Sequence, residues 1–211
     1  MGMFVLPEII YADDTLLVVN KPAGLLTVPG RGPEKQDCLI NRLLVPYPNA
    51  RIVHRLDQAT SGLVVIPLGY EAQKHLARQF EQRLVHKCYT AVVGGVMADE
   101  AGEVDLPLIC DWPNRPRQKV DYTDGKAALT RYRVLQRSAD ATRVALEPVT
   151  GRSHQLRVHM QALGHPILGD NLYATPAYLA ASDRLLLHAT TIEFTHPRTG
   201  SPVHCESPPV F

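Results

Sequence analysis

No long apolar run, no paired cysteines and almost no net charge mark this 211-residue sequence, and each shortage closes a class of function. No stretch approaches the ~20 apolar residues of a membrane-spanning helix. The opening MGMFVLPEII has no basic segment and no small-residue cleavage site, which argues against a signal peptide. Leu6 stands where a myristoylation site wants Ser or Thr. Cys38, Cys88, Cys110 and Cys205 are scattered without a CxxC pair, so they read as reduced thiols of a cytoplasmic protein rather than as disulfides. The glycine-rich fingerprints of dinucleotide and triphosphate sites are missing. With a formal net charge of +1, any acidic partner must be met by a local cluster rather than by the whole chain.

What is present is an ordinary globular composition, 45% hydrophobic and 20% charged, in a chain long enough for a sizeable core. TLLVVN reads as a strand closed by the Pro-Ala-Gly turn, and RIVHRL and GLVVIPL as two short strands around a polar connection. Ala72, Leu76, Phe80 and Leu84 recur every four residues and predict a helix over 70–84. KCYTAVVGG, EVDLPLI, LTRYRVL and TRVALEPVTG read as strands. Between the second and third of these, CDWPNRPRQKVDYTDGK is a long loop or an irregular hairpin. SHQLRVHMQALG predicts a short helix with Ser153 as N-cap and Gly164 at its C-terminal end. RLLLHATTIEFTHP and PVHCES form a closing hairpin over the RTG turn. Strands in adjacent runs with helices inserted singly predict an α+β fold with a mixed, mostly antiparallel sheet.

Four segments place polar residues where a sheet protein usually buries apolar ones: NKPAGL (20–25), HRLDQATSG (54–62), KCY (87–89) and GRSHQLRVH (151–159). Each has a plain alternative reading. Asp57 is a loop acid paired with Arg55; Tyr89 is a core ring with its hydroxyl at the edge; Arg152, His154 and Arg157 are a solvated helix face. His154 and His159 are five apart, the wrong spacing for a helical zinc pair. The loop over 112–133 carries Arg115, Arg117, Lys119, Lys126, Arg131 and Arg133, with Trp112 and Tyr122 interleaved. That mixture suits a clamp on a phosphate backbone with side chains able to stack on bases; otherwise it is a solvated loop.

Together these segments resemble the RluA family of pseudouridine synthases. His54–Asp57 and Thr60–Gly62 match its HRLD and TSG motif. VVNKPAGLL is similar to its first motif, KCYTAVV to the strand with its tyrosine, and TGRSHQLRVHMQALGHPILGD to its third. VDLPLICDWPNRPRQKV resembles the branch acting on both transfer RNA and large-subunit ribosomal RNA.

The resemblance implies a pseudouridine synthase fold, a mainly antiparallel sheet with flanking helices and loops around a central cleft. It implies one catalytic domain over 1–211 with no S4 domain before it, since the motifs begin by residue 14. Asp57 is then the catalytic carboxylate, Arg157 its cation and Tyr89 the proton acceptor. Arg55 fills the gap left when a uridine leaves its stack. His54, Arg115, Arg117, Lys119, Arg152 and His154 are expected to bind substrate. The expected partners are transfer RNA (the anticodon stem-loop) and 23S ribosomal RNA. The reaction is an isomerisation, so the resemblance implies no metal and no cofactor, in a cytoplasmic monomer without an obligate protein partner. Asp57 attack at C6, attack at C1′ and a glycal route all need one carboxylate at one place. Two other classes compete: a non-catalytic RNA-binding module, and a hydrolase using two carboxylates, for which no second acid pairs with Asp57 by spacing.

Overall fold

The computed structural model describes residues 5–211. Residues 1–4, on which the arguments against a signal peptide and a myristoyl site partly rest, lie outside the described residues. The elements in chain order are strands β1 (Glu8–Ala12) and β2 (Leu16–Lys21), helix α1 (Leu39–Leu44), strand β3 (Ser61–Pro67), helix α2 (Tyr70–Glu81) and strands β4 (His86–Gly94), β5 (Ala101–Asp105) and β6 (Leu108–Cys110). There follow β7 (Gln118–Val120), β8 (Leu129–Arg137), β9 (Ala141–Pro148), helices α3 (Gln155–Ala162) and α4 (Pro176–Ala180), and strands β10 (Leu187–Thr195) and β11 (Pro202–Glu206). The chain packs as two compact units. One runs to Lys87 and adds Ala189–Val210; the other is Cys88–His188 with Phe211.

In the first unit the strands lie in the order β1–β2–β3–β10, with β11 on β10. The turn into β2 is set by Asp13, whose Oδ1 accepts the N–H groups of Thr15 and Leu16 at 2.7 and 3.0 Å. Every residue of β3 is buried. Leu16, Val18, Leu63 and Val65 share a cluster with Leu76 of α2 and with Ile192 and Phe194 of β10. Alternation puts Leu17, Val19, Val64 and Ile66 on the opposite face, and these are also fully buried. At about 1.5–3 kcal/mol for each large aliphatic side chain buried, β3 is a rigid base for the loop that precedes it. The antiparallel register sets Lys21 opposite Gly62, so the NKPAGL and TSG segments meet at one end of the β2–β3 pair.

Gly62 has φ +112°, and a Cβ there would stand 2.3 Å from the carbonyl oxygen of Ala189. The TSG glycine is required because β10 passes too close for any side chain.

In the second unit β4, β9, β8 and β5 are neighbours in that order, each pair antiparallel. The β6–β7 hairpin stands apart from them as a two-stranded sheet. A small core of Leu108, Ala128, Val158 and Tyr173, with Val120 and Leu172 against it, packs α3 beneath that hairpin. The α+β class and the mainly antiparallel sheet are as the sequence predicts.

Several local expectations change. RIVHRL is not a strand: residues 51–56 are loop, and His54 meets β3 by side chain instead of by a backbone ladder. The 70–84 helix stops at Glu81, because Arg83 turns to φ +59° and leaves Leu84 exposed. EVDLPLI breaks at Leu106-Pro107 into β5 and β6. Arg131 and Arg133 belong to β8 rather than to the basic loop, whose inner part is the hairpin. His154, at φ +54°, is the N-cap of α3, not Ser153. Strand β1 and helices α1 and α4 were not legible.

Candidate active site

Asp57 sits half-buried on the loop entering β3, and the backbone on both sides of it is held from elsewhere. Thr27 Oγ1 donates to Leu56 O at 2.8 Å and accepts from Leu56 N–H at 3.2 Å. Gln58 exchanges bonds with the Pro-Ala-Gly turn: Gly24 N–H donates to Gln58 O at 2.8 Å, and Gln58 Nε2 donates to Gly24 O at 3.0 Å. Thr60 N–H closes the turn onto Asp57 O at 3.1 Å. Beneath it lies Lys21, with no exposed surface. Its Nζ donates to the carbonyls of Pro22, Leu25 and Gln58 at 2.9, 2.7 and 3.2 Å. A buried ammonium needs such partners, and here they are backbone groups of the two motif loops.

His54 serves the same loop. Its ring stacks on Phe80, 4.6 Å between centroids, and its Nε2 accepts Val65 N–H at 2.9 Å. A backbone N–H can bond only an unprotonated ring nitrogen, so the proton is on Nδ1. Burial, and then the charge of Lys87, push the His54 pKa down to about 3. Arg55 points the other way: it is exposed and makes no hydrogen bond or ion pair with the described residues.

In the second unit the candidate residues gather around Tyr173, which is 4% exposed. Arg157 Nε and Nη2 grip Asp170 Oδ2 and Oδ1 at 2.8 and 2.7 Å, both partners buried. Asp170 Oδ1 also accepts the N–H groups of Leu172 and Tyr173, at 2.9 and 3.1 Å. A bidentate pair with its remaining lone pairs satisfied fixes the guanidinium plane. The Arg157 and Arg117 guanidinium carbons lie 5.1 and 5.4 Å from the Tyr173 ring centroid. The Tyr173 hydroxyl accepts Gln118 N–H at 2.8 Å and is hydrogen-bonded to His154 Nδ1 at 2.7 Å. Tyr89 is half-buried on β4 opposite Leu146 of β9.

The other candidates are dispersed. Arg152 is exposed, with Nε on Ala127 O at 3.2 Å. Arg115 stacks on Trp112, and Lys119 faces Asp121 at 3.9 Å. The described residues contain no group of three or more His, Cys, Asp or Glu set to hold a metal. They contain no helix long and apolar enough to cross a membrane.

A profile described as RNA pseudouridylate synthase matches residues 15–162. The chain belongs to the RNA pseudouridylate synthase family.

Within that family it is 54% identical over 202 residues to the Yersinia pestis protein named dual-specificity RNA pseudouridine synthase RluA, covering 94% of this chain and 98% of that one. The protein of the same name from Escherichia coli K12 is 54% identical over 204 residues, 96% and 93% of the two chains. Among solved structures, human RNA pseudouridylate synthase domain containing 1 aligns with a TM-score of 0.82 at 28% identity, over 99% of this chain and 86% of that one. Human RNA pseudouridylate synthase domain containing 4 aligns at 0.76 and 25% identity, over 95% and 88%. The pseudouridine synthase fold expected from the motifs is therefore the fold this chain has.

Sequence reasoning passed over Lys21, Thr27, Asp170 and Tyr173. The signal for Lys21 was present: a lysine continuing the strand run LLVVN directly before Pro has nowhere to go but inward or to a partner. Asp170 gives no local signal, because its partner lies thirteen residues away on α3. The solvated-face reading of Arg157 fails for the same reason, since that residue is 3% exposed.

Proposed function

We propose that this protein isomerises uridines to pseudouridine in structured loops of both transfer RNA (the anticodon stem-loop) and 23S ribosomal RNA, with Asp57 as the catalytic carboxylate. The observation that carries this reading is 54% identity, over nearly the whole chain, to proteins named as dual-specificity RNA pseudouridine synthases.

The reaction breaks the bond from C1′ to N1, turns the base, and joins C1′ to C5. N1 gains a proton and C5 loses one. Asp57 assists at the sugar or base while the glycosidic bond is broken. A carboxylate at that place can serve as nucleophile or as base. Tyr89 takes the C5 proton, and Arg157 stabilises the phenolate that this requires. Arg55, planar, cationic and without a partner among the described residues, occupies the stack position that the flipped uridine leaves. The clamped backbone around residues 56–60 supports the role of Asp57, because a reacting carboxylate works best where it need not be reorganised. Arg115, Arg117 and Lys119 meet the RNA backbone, while Arg152 and His154 contact the loop being modified. His54 acts on substrate through the Asp57 loop that it braces. The two units serve as one catalytic domain, as a monomer in the cytoplasm.

The test is release of label from transfer RNA and 23S transcripts carrying uridine tritiated at C5. Release with unchanged RNA mass and a shifted nucleoside elution is expected. Cleaved glycosidic bonds with water incorporated would assign a hydrolase instead.

A further inference from the structure

Trp112 is the only tryptophan of the chain, and 65% of it is exposed. Its turn is closed on itself. Asp111 N–H donates to Arg117 O at 2.9 Å, Asn114 N–H to Asp111 O at 2.9 Å, and Arg117 N–H to Asn114 O at 3.0 Å. Asn114 Nδ2 adds a bond to Asp111 Oδ2 at 2.9 Å. The next residue, Gln118, is pinned through its N–H to the buried Tyr173 hydroxyl. The indole is therefore presented outward on a fixed turn, with the Arg115 guanidinium 4.4 Å from its ring centroid.

Two of the nearby acids are engaged within the loop itself. Asp111 holds Asn114, and Asp121 Oδ1 accepts the N–H groups of Thr123 and Asp124 at 3.0 and 2.9 Å. Those backbone bonds, with the charge of Lys119 a smaller contribution, hold the Asp121 carboxyl below the usual carboxylate range. Arg115 thus backs an open aromatic face with positive charge, while Arg117 lies over the Tyr173 ring and Lys119 faces Asp121. Protein interfaces bury their aromatic anchors in apolar cores depleted of charge, whereas an exposed π-face with a guanidinium stacked behind it suits a base on a phosphodiester chain.

We infer that Trp112, backed by Arg115, is a stacking platform for an unpaired base of the substrate RNA other than the uridine being modified. The inference rests on the synthase reading and adds a binding subsite to it. A fixed indole gives up little conformational freedom on stacking and does not discriminate strongly among bases. It therefore suits an enzyme with two different RNA substrates.

As the sole tryptophan, Trp112 reports its own contact in the full-length protein. Decauridylate should quench its emission saturably. A ten-unit abasic phosphodiester chain at the same ionic strength should bind and leave the emission unchanged. Trp112→Ala should raise KM for a stem-loop RNA by about 5- to 150-fold, the equivalent of ~1–3 kcal/mol for one stacked base, and Trp112→Phe, which keeps a ring, by less. Equal quenching by the abasic chain, or an unchanged KM in Trp112→Ala, overturns the platform. Silence toward both probes overturns it in favour of a protein partner. Label release by the unaltered enzyme is measured separately, so the platform and the synthase reading fail independently.

Discussion

The Asp57 loop and the Trp112 turn are both short, polar and irregular, yet they are fastened in opposite ways. Residues 56–60 are bonded to Thr27, Gly24 and Lys21, 29 to 37 positions away in sequence. Residues 111–117 are bonded to one another, with a single anchor at Tyr173 just beyond. The first arrangement fixes a carboxylate relative to a sheet. The second fixes the shape of a protrusion while leaving its side chains to solvent. The contrast teaches which segment can carry chemistry and which recognition: a reacting group needs a frame, and a contact surface needs exposure.

The strongest way to break the contrast is to remove a frame outright. Gly169 has φ +70°, and a Cβ there would stand 1.9 Å from Arg184 O, so Gly169→Ala displaces the backbone that delivers Asp170 to Arg157. Expected is loss of the folded second unit, or destabilisation by about 4 kcal/mol or more, read by denaturant unfolding. A variant that unfolds like the parent would show that the approach relaxes freely.

Lys21→Met tests the frame of the Asp57 loop. It strands carbonyls that Lys21 now serves, at about 1–3 kcal/mol for each buried acceptor left unsatisfied. Label release should fall further than unfolding stability accounts for, even in protein shown to be folded. Proportional losses would make Lys21 a structural lysine only.

Tyr89→Phe keeps the ring and removes the hydroxyl. RNA should still bind, while release of the C5 label slows by about 10² to 10⁴. Release at the parental rate would return Tyr89 to a packed ring beside the site.

These tests also mark what the sequence could not convey. The motif strands, the closing hairpin and the α+β class were legible because apolar runs and turn residues are local signals. The strand assignment of RIVHRL failed because its alternation serves a side-chain contact, His54 on Val65 N–H, rather than a ladder. Among the candidate residues, Asp57 and Arg157 stood out by motif. Lys21 and Asp170 did not, since a buried charge is recognised by partners that only the folded chain supplies.

A further expected effect concerns acid. His54 is neutral in the fold with its pKa near 3, against about 6.5 unfolded. Between those values the unfolded chain binds the extra proton, so stability falls as pH drops from ~6.5 toward ~3, by at most ~1.4 kcal/mol per pH unit from this group. Asp13 adds a later loss. Its carboxyl is held at about 2 although burial, the largest influence, opposes this; the hydrogen bonds from Tyr11, Thr15, Leu16 and His196 together prevail. Its contribution is present above the ordinary carboxylate range and lost as pH falls through about 2. His54→Gln should flatten the melting profile between pH 6 and 4 (about the His54 window), and an unchanged profile would remove His54 from that role.

The most direct measurement is label release by purified Asp57→Asn on the RNA that the parent modifies. The substitution keeps the size of a half-exposed side chain that contributes little net stability, so folding and RNA binding should persist. Release should fall to background. Turnover near the parental rate in that folded, RNA-binding variant would contradict the account, because the clamped loop would then be holding a residue the reaction does not use.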